Sequence, residues 1–388
     1  MKFDLVIVGA GAVGASLARA VRGLSVAVVA QERLAERRAG SEDAFDARVY
    51  AISPGNVAFL KEIGAWRAIP PQRLAPVHAM RVFGDDGRSK IEFDAYRTGV
   101  AELAWIVEDG ALQNALWHSL EDHGATKLFA PAACEALELV PERATVRLQD
   151  GRVLEAKLVV GADGARSFVR AQARIASDEQ PYGQTAVVAN FACERAHENV
   201  ALQWLQGGPV LALLPLPGAI VSMVWSVPDA RASRLLELDP EALCREVESA
   251  SRHTLGALKL VTPPRSYPLR RLSARRLVAA RVALLGDAAH VIHPLAGQGA
   301  NLGLQDAREL AAVLAAREPM RDPGDLRLLR RYERARAEPL LSMRATVHGL
   351  YRRFEAGGGW LGRWRNAGLN LTDRVPVLKN ILVRRAMH

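Results

Sequence analysis

Residues 3–30 combine a strand, a glycine-rich turn, a helix and a second strand, an order that few folds accommodate. The apolar residues 5–8 predict a buried strand, the turn reads Gly9-Ala10-Gly11-Ala12-Val13-Gly14, and residues 15–21 and 26–29 predict the helix and the second strand. In such a unit the first glycine of GxGxxG makes the tight turn, the second lets the backbone approach a pyrophosphate, and the third lets the helix pack on the strand. The segment predicts a Rossmann-like domain that binds a dinucleotide.

A second glycine-rich loop follows the apolar residues 282–285. It reads Gly286-Asp287-Ala288-Ala289-His290-Val291-Ile292-His293-Pro294-Leu295-Ala296-Gly297-Gln298-Gly299-Ala300-Asn301 and leads into a long helical pattern. Backbone N–H groups in such a loop approach a ligand closely, and the start of a helix adds a partial positive charge. The loop therefore predicts a site for an anionic or electron-rich cofactor.

Two acidic positions leave alternatives open. After a predicted strand at 158–160, Asp163 lies between two glycines, where its carboxylate could accept a ribose hydroxyl or cap the next helix. The acidic residue that usually follows the second strand of a dinucleotide fold is missing, because the chain has Ala30-Gln31-Glu32 there. Glu32 could bind the ribose, Gln31 could replace it, or Glu32 could be a solvated loop charge.

Charge and cysteine content exclude several classes of protein. The formal net charge is +9, but the arginines are spread along the chain without an aromatic-basic platform, so no nucleic acid is expected as a partner. The positive net charge favours an anionic membrane surface as the partner instead. The amphipathic residues 369–387 either face that membrane or pack on the protein body. The three cysteines are far apart, which argues against a disulfide framework and against a metal site.

Two further features bear on localisation. Residues 210–227 approach transmembrane length, but Pro215, Pro217 and Gly218 interrupt them, so we expect two strands joined by a turn. The chain enters its first strand directly after Lys2, which leaves no room for a signal peptide. We expect a cytoplasmic protein that is peripheral at the inner membrane.

Taken together, the GxGxxG, GADG and GDAAH…HPLAGQGAN motifs resemble those of the flavoprotein aromatic hydroxylases of the para-hydroxybenzoate hydroxylase type. The third motif, with residues 46–51, 106–108, 373–376 and 384–387, is similar to the ubiquinone-biosynthesis branch, and the resemblance covers essentially the whole chain. It implies an α/β fold (α+β overall), with a Rossmann-like FAD-binding domain of the glutathione-reductase type, an inserted sheet-based substrate domain and a helical C-terminus. The implied FAD-binding domain comprises residues 1–72, 102–176 and 278–355, the substrate domain 73–101 and 177–277, and the C-terminal segment 356–388.

The resemblance also implies which residues bind FAD. They are Gly9, Gly11, Ala12, Val13, Gly14, Glu32, Arg48, Gln113, Asp163, Gly286, Asp287, Pro294, Gly297, Gln298, Gly299, Ala300 and Asn301. His293, Pro294, Gly297 and Gln298 would form the flavin-ring and substrate environment, without a protein nucleophile or a metal. His290 is interpreted as a structural hydrogen-bonding residue.

The implied reaction is hydroxylation of a phenolic, polyprenylated ring in ubiquinone biosynthesis. Oxygen, as co-substrate, would add at the flavin C4a carbon to give a hydroperoxide, with NAD(P)H or a partner reductase as the electron source. Membrane contact and a quinone-biosynthesis complex are the expected associations.

Two alternatives stay open. One is a hydroxylase of a soluble aromatic compound, which would need an arginine clamp for a carboxylate. The other is a non-catalytic flavin-binding accessory subunit.

Overall fold

The computed structural model describes residues 1–33, 45–86, 89–121, 124, 126–292 and 298–355. The predicted C-terminal segment 356–388, with the amphipathic residues 369–387, lies outside them. The helices are α1 (Ala12–Ala20), α2 (Pro54–Glu62), α3 (Ala95–Thr98), α4 (Asp109–Glu121), α5 (Phe168–Gln172), α6 (Asp229–Glu237), α7 (Pro240–Ala250), α8 (Gln298–Ala315) and α9 (Leu326–Glu355), with short 3₁₀ turns at Trp66–Ala68, Pro71–Arg73 and Gly286–Ala288.

The strands group into three sheets. They are β1 (Lys2–Val8), β2 (Val26–Val29), β3 (Val49–Ile52), β4 (Leu74–Val77), β5 (Ala79–Phe83), β6 (Lys90–Asp94), β7 (Ala104–Glu108), β8 (Thr126–Phe129), β9 (Cys134–Leu139), β10 (Ala144–Leu148), β11 (Val153–Gly161), β12 (Ser177–Cys193), β13 (Val200–Leu205), β14 (Val210–Leu216), β15 (Ile220–Pro228), β16 (Leu258–Leu260), β17 (Arg265–Ala274), β18 (Val278–Ala279), β19 (Val282–Leu284) and β20 (His290–Val291).

The first sheet brings the three sequence motifs to one edge. Its order is β18-β19-β11-β1-β2-β8, with β10 and β9 continuing from β11. Strands β19, β11, β1 and β2 run parallel, and Val8 lies opposite Gly161, which in turn lies opposite Leu284. Because parallel strands present their carboxyl ends on the same side, the turns after β1, β11 and β19 are neighbours. Ligands of open α/β sheets bind at this edge.

The second sheet is built mainly from antiparallel strands and carries its own core. Its order is β20-β17-β12-β15-β14-β13-β5-β6, with β16 beside β12. One face packs under α6 and α7, where Phe191, Trp204 and Trp225 are buried. The apolar residues 210–227 form β14 and β15 with a turn at 217–219, which confirms the prediction of two strands. None of the helices within the described residues is long and apolar enough to cross a membrane.

The third sheet, β3-β7-β4, lies between the other two. Its residues Ala75, Val77 and Ile106 form a small core with Ala201 and Leu216 of the second sheet. The opposite face of the second sheet is therefore turned towards the third sheet and away from α6 and α7. This arrangement places the inner face of the second sheet on the side of the FAD motifs.

Candidate functional site

The turn after β1 is interlocked with the turn after β11. Gly9 has φ +104°, and a Cβ atom there would lie 2.2 Å from the carbonyl oxygen of Ala162. A Cβ atom on Gly14 would lie 2.0 Å from the carbonyl oxygen of Gly9, so the start of α1 packs directly on the turn. At Gly11, by contrast, a Cβ atom would meet no protein atom within 4 Å. The open space at the start of α1 is what a pyrophosphate on backbone N–H groups requires.

The start of α1 also contacts the turn after β19. Val13 packs on Gly286 and Gly303, where added Cβ atoms would lie 3.2 and 2.5 Å from its side chain. Gly286 has φ +56°, a left-handed conformation that glycine adopts without strain. Val13 and Gly286 therefore meet where α1 approaches the turn after β19, and the FAD contacts of Ala12, Val13 and Gly286 stay predictions.

Asp287, in the turn after β19, lies close enough to Arg48 for the two charges to interact. Both side chains are solvent-exposed although protein atoms surround them closely, which is the situation of groups in a concave site. Burial raises the pKa of Asp287, and the nearby positive charge of Arg48 opposes that rise. The two residues are thus brought together from positions 239 residues apart in the sequence.

Aromatic rings from two sheets hold Arg48 in place. Its guanidinium carbon lies 5.3 Å from the ring centre of Tyr50 on β3 and 5.6 Å from that of Tyr267 on β17. The Tyr50 hydroxyl donates a hydrogen bond of 2.9 Å to Asp109, and the amide of Gln113 donates to the same carboxylate oxygen. Gln113 is therefore linked to Arg48 through Asp109 and Tyr50.

A buried ion pair positions the segment that leads into Arg48. Glu108 accepts a hydrogen bond from the backbone N–H of Asp46 and pairs with Arg73 at 3.2 Å. The Asp46 carboxylate in turn accepts from the N–H of Arg48 at 3.0 Å. Burial raises the pKa of Glu108. The sequence pointed to Asp46 and Glu108 only through resemblance, and Arg73 was missed because nothing in its local sequence marks it.

Of the two roles left open for Asp163, the structure shows the helix cap. One carboxylate oxygen accepts from the Ser167 hydroxyl at 2.6 Å and the other from the N–H of Val169 at 3.1 Å, at the start of α5. Burial raises the pKa of Asp163. Each carboxylate oxygen can accept a further hydrogen bond, and the predicted contact of Asp163 with FAD stays a prediction.

The side chain of Asn301 is likewise bound within the protein. Its oxygen accepts from the N–H of Ser53 and from the amide of Asn56, both at 2.9 Å, and its own amide donates to Ala51 at 2.7 Å. These bonds fix the first turn of α8 against β3 and α2. The predicted contact of Asn301 with the cofactor stays a prediction.

The remaining predicted residues fall into three groups. Helix α8 begins at Gln298, and the half-buried Gly299 and Ala300 lie in its first turn, where backbone N–H groups are free of helical partners. Glu32 is exposed just beyond β2, and its contact with the adenosine ribose stays a prediction. His293, Pro294 and Gly297 lie outside the described residues.

Asp306 on α8 is a buried hub that the sequence motifs did not reveal. One of its oxygens accepts from the N–H of Gly286 at 2.9 Å and bonds to His290 at 2.7 Å, and the other accepts from Arg336 at 2.6 Å. Burial alone would raise the pKa of Asp306, but His290, Arg336 and the Gly286 N–H outweigh it and hold the pKa below its usual value. His290 thus has the structural role expected of it.

The described features of the cleft fit FAD. The cleft offers an open glycine turn, two helix starts and an arginine beside the carboxylate of Asp287, which together suit a pyrophosphate and an electron-rich ring. In the part of the chain that the structure describes, no group of three or more His, Cys, Asp or Glu side chains could hold a metal.

Exchanging Gly11 or Gly14 for valine should separate binding from folding. In Gly11→Val the side chain enters open space, so the protein should keep its melting temperature but bind FAD roughly tenfold or more weakly. In Gly14→Val the side chain meets the Gly9 carbonyl, so folded protein itself should be lost. Thermal unfolding and FAD titration of the apoprotein measure both effects. Equal loss of folding in the two variants would contradict the open space at Gly11.

The Asp306 hub should make stability dependent on pH. Asp306→Asn leaves the Arg336 guanidinium without a counter-charge and should lower the free energy of unfolding by roughly 3–5 kcal/mol at neutral pH. Because the folded pKa of Asp306 is lowered, its contribution is full above the ordinary carboxyl pKa and is lost as the pH falls through the folded value. The difference between wild type and variant should therefore narrow below about pH 4.

Urea unfolding at several pH values measures this difference. Glu246→Gln is the matched control, because that carboxylate lies 3.8 Å from Arg231 at the surface and should change stability by less than about 1 kcal/mol. A difference between wild type and Asp306→Asn that stays constant down to acid pH would show that Asp306 is not the titrating group.

Comparison with known proteins agrees with the site. The family model described as "FAD binding domain" matches residues 2–343. The ubiquinone hydroxylase UbiL of Rhodospirillum rubrum is 37% identical over 99% of this chain and 89% of its own length. The 3-demethoxyubiquinol 3-hydroxylase of Escherichia coli is 34% identical over 99% and 98%.

Solved structures show the same architecture. PqsL of Pseudomonas aeruginosa in complex with 2-aminobenzoylacetate superposes with a TM-score of 0.80 at 25% identity, covering 96% of this chain and all of that one. HpxO of Klebsiella pneumoniae, complexed with FAD and uric acid, has a TM-score of 0.74 at 19% identity, which shows the fold alone. The chain therefore belongs to the FAD-dependent aromatic-ring monooxygenases, in the branch of the ubiquinone-biosynthesis hydroxylases.

Proposed function

We propose that this monooxygenase hydroxylates the phenolic ring of a neutral, polyprenylated precursor of ubiquinone. FAD, when bound, supplies the redox and oxygen chemistry, with O2 as co-substrate and with NAD(P)H or a partner reductase as electron source. The protein binds and orients both molecules. Backbone N–H groups at the starts of α1 and α8 would hold the pyrophosphate and favour negative charge on the reduced ring.

The observation that carries the substrate class is the inner face of the second sheet. Side chains alternate along a strand, so the residues of β12 to β15 that do not pack under α6 and α7 point to the side of the cofactor cleft. Cross-strand register arranges seven of them in two rows, Val188, Val224, Ala212 and Gln203 in one and Asn190, Ser222 and Leu214 in the other. The eighth, Ala201, packs in the same cluster as Leu214. None of the eight is charged.

The exposure of these residues marks where a substrate would lie. Ala212, Leu214 and Val224 are half-buried, whereas their row neighbours are buried. An uncharged, largely apolar strip suits a ring that carries a prenyl chain, because burying apolar surface is favourable and no cation is needed. The eight residues themselves offer no cation to the carboxylate of a soluble aromatic acid. Such an acid would have to use the exposed Arg265 of β17, which lies opposite Val188 in the register.

The central experiment measures flavin content and substrate-dependent turnover. The purified protein should be yellow, and NADH or NADPH consumption should rise when a short-chain prenylphenol is added, with a hydroxylated product in mass spectrometry. The matched comparison uses 4-hydroxybenzoate, which should stimulate turnover far less. Stimulation by the acid alone would favour the soluble-substrate alternative. Bound FAD without turnover on either compound, even with an added reductase, would favour the accessory-subunit alternative.

Peripheral membrane contact would bring the enzyme to a lipid-dissolved substrate, from the cytoplasmic side and within a quinone-biosynthesis complex. The net charge of +9 should attract the protein to anionic lipid. Sedimentation with vesicles containing phosphatidylglycerol should show binding at low salt and release at high salt, since such attraction is screened. Equal sedimentation with neutral vesicles would contradict an electrostatic contact.

A further inference from the structure

We infer that Asn190 and Ser222, here called the Asn190–Ser222 pair, bind a single hydroxyl group of the aromatic substrate. The inference rests on the proposed function and refines it, because it assigns the polar recognition on an otherwise apolar face. The two residues are direct cross-strand neighbours on β12 and β15, so their side chains leave the sheet on the same side. Both are fully buried.

Each member of the pair has a buried oxygen without a hydrogen-bond partner among the described residues. These atoms are Oδ1 of Asn190 and Oγ of Ser222. Buried polar atoms in folded proteins are nearly always satisfied, so two unsatisfied oxygens on directly opposed residues point to a missing partner that serves both.

The orientation of the Asn190 amide is fixed by its other contacts. Its Nδ2 donates to the carbonyl oxygen of Asp46 at 2.9 Å, and its backbone N–H donates to the Thr262 hydroxyl at 2.9 Å. The amide nitrogen is therefore engaged, and Oδ1 is the atom left free. The Asp46 carboxylate also accepts from the N–H of Arg48, so Asp46 connects Asn190 to the segment that carries Arg48.

The chemistry of the two oxygens selects the group that they can bind. The Asn190 Oδ1 atom can only accept a hydrogen bond, whereas the Ser222 hydroxyl can donate one. A hydroxyl group donates to the first and accepts from the second. A carboxylate or a methyl ether can only accept, so either would leave Asn190 unsatisfied. The pair therefore matches a ring with a free hydroxyl.

The neighbours of the pair suit the ring that would carry this hydroxyl. Leu214 lies opposite Ser222 in the register, and Val224 follows on the same face of β15. Both are apolar and half-buried, so a ring resting on them would shield the hydroxyl from water. In such a dry site each hydrogen bond contributes more to selectivity than it would in water.

The test compares binding of a phenol and its methyl ether to the oxidised, FAD-loaded protein without reductant. Titration calorimetry with a 2-prenylphenol and its methyl ether should show wild type favouring the phenol by roughly two- to tenfold in Kd, the range of one net hydrogen bond. Ser222→Ala should weaken phenol binding and leave ether binding less affected, so the preference shrinks. Asn190→Ala should abolish the preference, because Oδ1 of Asn190 can bind only a hydrogen-bond donor, and the phenol has such a donor whereas the ether does not.

Ser226→Ala is the matched control. Ser226 is a buried serine on the same strand and the same face, opposite Ala186 and Val210, and its loss should leave the preference intact. Removing the unpartnered Ser222 hydroxyl should not lower the melting temperature, so lost binding could not be ascribed to unfolding. Equal affinities for phenol and ether in wild type, or a preference unchanged in Ser222→Ala and Asn190→Ala, would overturn the inference.

These outcomes separate the inference from the proposed function. A hydroxylated product together with an unchanged phenol preference in the variants would refute the Asn190–Ser222 pair alone. A phenol preference that depends on both residues, in a protein that hydroxylates no prenylphenol, would support the pair and contradict the proposed reaction.

Discussion

The carboxylate of Asp306 holds the functional part of the molecule together. It binds the Gly286 backbone, His290 and Arg336 at once, and so ties the turn after β19 to α8 and to α9. A fully buried carboxylate is stable only when its partners replace the lost water, and here three of them do. The position of Asp287 in the cleft depends on this hub, as does the distance between the turn and the first turn of α8. Arg170 adds a second support, because it donates to the Ala288 carbonyl from the segment after β11.

In the proposed function the first main sheet serves the cofactor and the second serves the substrate. The first supplies the parallel edge where the glycine turns meet, and the second supplies an inner face whose two central rows on β12 to β15 carry no charge. Contacts across the boundary keep the two aligned, since Arg48 lies between a tyrosine of the third sheet and one of the second, and Asn190 bonds to Asp46. Specificity can therefore change through a few side chains of the second sheet while the cofactor edge keeps its geometry.

The glycine-rich turns and their order along the chain were predictable from the sequence. In each turn an apolar strand is followed by glycines, which are required where the backbone packs closely or adopts a positive φ. The sequence could not predict whether Asp163 caps a helix, or which groups the Asn301 side chain binds. The same carboxylate or amide can bind either a ligand or a nearby backbone group. Asp306, Arg336 and Arg73 lie in ordinary helical or loop sequence, and only the tertiary fold brings them to their partners. The sequence also could not predict which side chains of β14 and β15 face the cofactor cleft, because both faces of these strands are apolar and the pattern does not distinguish them.

The interlock of the glycine turns has a consequence for how such chains can be recombined. The Gly9 and Gly14 positions leave no room beside Ala162, and Val13 fills the space over Gly303. The first twenty residues are therefore fitted to surfaces roughly 150 and 290 positions further along the chain. In a chimera that takes only the N-terminal βαβ segment from a distant relative, α1 would come from a protein whose other two turns differ, so its side chains would not fit the turns of this chain. Compatible crossovers must carry all three turns from one parent, so the shortest exchangeable unit is set by tertiary fit and not by the length of the βαβ segment.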